Sequence, residues 1–72
     1  LMKFVKEKAK YLSPEQDLIL NVYRPGGLLG SIIKVGDAVQ FITSQEISLT
    51  YQELVKIALE IKKYRNFKPK NS

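Results

Sequence analysis

The stretch Ser31-Ile32-Ile33-Lys34-Val35-Gly36-Asp37-Ala38-Val39-Gln40-Phe41-Ile42-Thr43 decides how the chain folds. Two runs of β-branched and aromatic residues flank a Gly-Asp pair. Alternating side chains around two turn-forming residues read as a β-hairpin, and Gly at the first central position suits a type II′ turn. This central hairpin, residues 31–43, is the clearest β signal in the sequence.

Downstream, Thr43 to Glu46 is polar and reads as a loop, and Ile47 to Leu49 is expected to add a short third strand. Thr50-Tyr51-Gln52-Glu53 is a capping box, in which the threonine hydroxyl bonds the N3 amide and the glutamate reaches back to the cap amide. Behind it, Leu54, Ile57, Ala58, Ile61 and Tyr64 recur at helical spacing. Gln52, Lys56, Glu60 and Lys63 form the opposite, polar face. An amphipathic helix over residues 51–65 follows. Val55 and Leu59 widen its apolar arc, which implies cover on more than one side, from an N-terminal helix or a second copy of the chain. Lys62, Lys63 and Arg65 complement the negative end of the helix dipole.

Upstream, Pro25-Gly26-Gly27 stops whatever precedes it. Leu18, Leu20 and Val22 alternate as in a strand, so Ser13-Pro14-Glu15-Gln16, although it resembles a helix start, reads as a single turn before that strand. In residues 2–12, Met2, Val5, Ala9 and Leu12 recur at spacings of three or four and predict an N-terminal helix. The expected class is α+β: an N-terminal helix, a small antiparallel sheet of two to three strands, and a C-terminal helix. Residues 1–65 form one domain in this reading, and residues 66–72 a basic tail.

Composition narrows the function. At 72 residues the chain is near the lower size at which one apolar core suffices, so a homodimer is expected. With 44% hydrophobic residues it is too apolar for compositional disorder. It holds no cysteine, hence no disulfide framework, and a reducing, cytoplasmic setting is expected. The charge-free run from Pro25 to Ile33 is nine residues with three glycines, far below the ~20 apolar residues of a spanning helix. Lysines at 3, 6, 8 and 10 with Glu7 break up any export signal, so no membrane association is expected. Leu1 before Met2 suggests an added leading residue or a piece of a longer chain.

The net charge of +5 is segregated. Lys3, Lys6, Lys8 and Lys10 stand against Glu7 at one end. Lys62, Lys63, Arg65, Lys68 and Lys70 at the other end have no acid beside them. Residues 11–61 carry a net of −3. Basic ends suit contact with phosphates or with an acidic protein.

Histidine and cysteine are absent, which removes the commonest general base, the thiol nucleophile and the usual zinc ligands. Glu15, Asp17 and Asp37 fall on expected turns. An enzyme would also need a cleft that so short a chain can hardly shape. The sequence therefore reads as non-enzymatic, with no metal and no cofactor.

Two short stretches resemble known families. Gly27-Leu28-Leu29-Gly30 is similar to the GXXG loop of KH RNA-binding domains, which implies a backbone clamp on nucleic acid. The variable pair here is Leu-Leu where that family usually offers a basic residue, and Gly36-Asp37 interrupts the helix that should follow. Ile33 to Phe41 is similar to a stretch of swapped-hairpin AbrB-type DNA-binding regulators, but Pro25 is followed by glycines and leucines in place of a basic helical segment. A Walker phosphate loop is excluded, because Ser31 is followed by Ile32 and no lysine precedes it. Neither resemblance assigns the chain.

Most of the aromatics sit on expected apolar faces and read as core; Phe67, in the basic tail, is the exception. Three expectations remain. The first is nucleic-acid binding, DNA or RNA, through Lys3, Lys6, Lys10, Lys62, Lys63, Arg65, Lys68 and Lys70; it predicts that the two ends converge on one face. The second is a protein-interaction or assembly module docking through Val55 and Leu59, which predicts an exposed apolar patch. The third is a structural piece of a larger chain.

Overall fold

The computed structural model describes residues 1–7, 14–44 and 46–67. Four strands, β1 (Lys3–Val5), β2 (Gln16–Arg24), β3 (Gly27–Val35) and β4 (Ala38–Thr43), form one antiparallel sheet in sequential order, followed by α1 (Tyr51–Lys63). The α+β class holds.

Both hairpin turns follow from their residues. Pro25 and Gly26 link Arg24 to its partner Gly27, and Gly26 takes φ 103°. Proline then glycine with positive φ is the requirement of a type II turn. Gly36 takes φ 57° between the partners Val35 and Ala38, while no residue other than glycine has positive φ among those described. Positive then negative φ is the sign pattern of the expected type II′ turn.

Three expectations are corrected. Residues 3–5 form a strand, not the start of an N-terminal helix; Ala9, Lys10, Tyr11 and Leu12 lie outside the described residues. Met2 and Val5 are three apart, but Met2 and Phe4 also alternate, and both of these pack against the core. The hydrogen-bonding edge of β2 decides between the two periods, since its amides and carbonyls need partners that β1 supplies. The sheet has four strands where two to three were expected, because β1 adds a strand at its edge; β3 is also longer than expected, beginning at Gly27 and running through the leucine-glycine segment. Residues 47–49 are not a strand; Ile47 and Leu49 instead pack against the core from a connecting segment.

Cross-strand register sorts the side chains. Phe4 pairs with Val22, and Leu20 pairs with Ile32, which pairs with Phe41; these residues share the face covered by Ile57 of α1. The β2–β3 register shifts at two points, leaving Ile19 and Leu29 as extra residues. Each such bulge lets two successive side chains contribute to one face, so Ile19 and Leu29 both join the buried cluster. Gly30 packs beneath Phe41: a Cβ there would meet the ring Cζ at 2.8 Å and run into the carbonyl oxygen of Ile42. Close packing, not anion binding, accounts for this glycine.

The opposite face carries Val5, Asn21 and Ser31 in register. Asn21 Nδ2 and Tyr23 Oη both donate to Glu7 Oε2 at 2.6 Å, and Ser31 Oγ donates to Asn21 Oδ1 at 2.5 Å. These bonds hold the Glu7 carboxyl below its ordinary range, Tyr23 first and Asn21 second. The bond to Glu7 raises the Tyr23 phenol in turn.

Candidate docking surface

Helix α1 starts where its sequence says it should. Glu53 N donates to Thr50 Oγ1 at 3.1 Å, and Thr50 N donates to Glu53 Oε1 at 2.9 Å, completing the capping box. Arg24 Nη1 lies 3.1 Å from the same Glu53 oxygen and also donates to Ser48 O at 3.2 Å. Glu53 thus caps the helix and ties it to the end of β2. The Thr50 amide first, and Arg24 after it, hold its carboxyl below the ordinary range against the opposing effect of burial.

Core packing sets the rotation of the helix. Ile57 is buried, and Ile61 and Tyr64 pack beside it on the core. Glu60 lies largely covered, its side chain 12% exposed, accepting from Tyr64 Oη and paired with Lys63 at 3.1 Å. Burial first, then the charge of Glu60, raises the Tyr64 phenol. Phe67 stacks edge-on against Tyr64, with centroids 6.2 Å apart, and also packs on the core.

The consequence is an uncovered apolar row. Tyr51 is 77% exposed, Leu54 51%, Val55 40% and Leu59 60%, with Ala58 also exposed among them. These positions are spaced i, i+3, i+4, i+7 and i+8, a complete helical face. Val55 and Leu59, singled out from sequence, belong to it. Leu54 and Ala58 were assigned to the core stripe and belong to it as well. Their spacing from Tyr51 was the available signal: α1 carries two apolar faces, and the sheet can cover only one.

Of the eight basic residues named from sequence, the structure describes Lys3, Lys6, Lys62, Lys63 and Arg65. Lys3 pairs with Tyr23 beside the β2–β3 turn, where a shallow cleft is lined by Lys3, Tyr23, Arg24 and Pro25. Lys62 and Arg65 line a cleft of about 230 Å³ with Asp37, Val39 and Ile61, beside the β3–β4 turn. The two turns are separated by the length of β3, nine residues or about 25 Å. Lys6 and Lys63 are exposed. Lys10, Lys68 and Lys70 lie outside the described residues.

Among the described residues, no three carboxylates cluster as metal ligands would, and no helix is long and apolar enough to cross a membrane. No protein-family model matches the chain, and no curated protein or solved structure matches it.

Proposed function

We propose that this chain is a non-enzymatic protein-interaction module that docks through the outward face of α1. The observation that carries the reading is the apolar row Tyr51, Leu54, Val55, Ala58 and Leu59, left uncovered while a second face of the same helix fills the core. Isolated exposed leucines are ordinary on a protein surface, but a contiguous row on one helix is the pattern of a contact surface. Helix-face docking uses anchors at this spacing.

The phosphate-contact reading draws its support from the last turn of α1, where Lys62 and Arg65 make no ion pair among the described residues. One experiment separates the two. A photo-crosslinking residue is placed at Leu59, and in parallel at Lys56 on the polar flank, in the intact protein inside cells. Polypeptide adducts from position 59 that disappear on Val55→Glu support docking. Nucleic-acid adducts, or titrations of DNA and RNA that weaken ten- to a thousandfold between about 50 and 200 mM salt, overturn it.

A further inference from the structure

The two edges of the sheet are built differently. The β1 edge is three residues long and carries Lys3, with Lys6 just beyond. Short length and lysine are the usual guards against edge-to-edge pairing. Among the described residues the β4 edge has no such guard. Ala38-Val39-Gln40-Phe41-Ile42-Thr43 contains no charge and no proline, and its register with β3 runs from Val35↔Ala38 to Gly30↔Thr43 without a bulge. Six residues of unbulged, neutral strand at an outer position are a template for another strand.

The apolar face of α1 lies beside that edge. Among the strands, α1 is nearest to β4. One flank of the helix turns inward, since Glu53 reaches Arg24 on β2. The other flank turns outward, since Ile61 and Arg65 share a cleft with Val39 and Asp37. Leu54 and Ala58 are on this outward flank by helical phase.

We infer that β4 and the outward flank of α1 together form a self-association surface, so that the partner is a second copy of this chain. The inference rests on the docking reading and names its occupant. A two-fold axis perpendicular to the sheet joins β4 to β4 antiparallel, giving a continuous eight-stranded sheet with both helices on one side. Centred on Gln40, the pairing sets Val39 opposite Phe41 of the second copy, Ala38 opposite Ile42, and Gln40 opposite its own counterpart. Aromatic and β-branched partners are favourable across strands, and no like charges meet. Area argues the same way. A stable interface takes ~800 Å² per partner, and the strand ladder adds its own area to that of the apolar row.

The test uses the full chain and one exposed position. Sedimentation velocity is expected to show a dimer at about 100 μM. Gln40→Lys sets two ammonium groups face to face and is expected to weaken dimerisation at least tenfold (~1.4 kcal/mol), with an unchanged circular dichroism spectrum. Because the chain has no cysteine, Gln40→Cys is expected to oxidise to a disulfide-linked dimer, whereas Lys56→Cys on the polar flank is not. A chain that stays monomeric up to about 1 mM overturns the inference. So does a dimer indifferent to Gln40→Lys but abolished by Leu59→Glu, although the docking face then stands. A monomer whose Leu59 crosslinks to a different polypeptide also removes only the second copy. A monomer with no polypeptide adduct at Leu59 removes both.

Discussion

Arg24, the last residue of β2, places its Nη1 3.1 Å from Oε1 of Glu53, the third residue of α1. This contact joins the first turn of the helix to the end of β2, while Ile57, Ile61 and Tyr64 of the same helix pack on the core.

The cap itself is testable without touching a charge. Thr50→Ala removes the hydroxyl that accepts from Glu53 N. Loss of such a cap costs about 1 kcal/mol, and thermal unfolding is expected to fall by roughly 4–8 °C in a domain of this size. An unchanged midpoint would show that the cap contributes nothing here.

The rotation of α1 makes neighbouring positions behave in opposite ways. Ile57 is 3% exposed and Leu59 60%. Ile57→Ala is expected to cost about 2–5 kcal/mol by opening a cavity, whereas Leu59→Ser should stay within about 0.5 kcal/mol. Urea denaturation of the two variants, at a protein concentration low enough to exclude association, checks the assignment. Equal losses would contradict the orientation described above.

Gly30→Ala separates packing from ligand binding in the glycine segment. The added methyl meets Ile42 O and the Phe41 ring, and overpacking of this kind costs roughly 1–3 kcal/mol. The loss is expected in buffer free of anions and unchanged by added phosphate. Stabilisation by phosphate in the parent, lost in the variant, would show that the glycine segment binds an anion.

Stability should depend on pH through Glu7 and Glu53. Both folded carboxyls are held below the ordinary value of 4.5. Their contribution is therefore present above about pH 4.5 and is lost as the pH falls through the lower folded values. Tyr23 and Tyr64 are raised above 10.0, so their contribution is present below that pH and declines in stronger base. Urea midpoints should form a plateau between these limits. Glu7→Gln should flatten the acid side while leaving the alkaline fall from Tyr64. An acid limb unchanged by that variant would remove Glu7 from the account.

Legibility in the sequence followed the range of the interaction. The capping box at Thr50 and Glu53 was readable because its two bonds join residues three apart. The β3–β4 turn was readable because Gly36 alone can take the positive φ that turn needs. The strand at residues 17–24 was readable from Leu18, Leu20 and Val22, although the bulge at Ile19 broke the alternation beside them. Met2 reads both ways, because Val5 follows three residues on as in a helix and Phe4 two residues on as in a strand, and only the open edge of β2 prefers one of the two. Leu28 and Leu29 read as loop because glycines surround them, yet Gly30 is the residue whose missing side chain leaves room for the Phe41 ring.

The candidate surface divides along the same line. Val55 and Leu59 stood out as apolar residues in excess of one helical stripe, which is a property of the chain alone. That Leu54 and Ala58 face outward with them follows from the core taking up Ile57, Ile61 and Tyr64, with Arg24 reaching Glu53 from 29 residues away. Local hydrogen bonds and φ signs are written into neighbouring residues, so the sequence by itself determined the helix, its cap and the central hairpin. Which helix face is buried and which strand is left at the edge are set by contacts between distant segments. Only the tertiary structure could decide them.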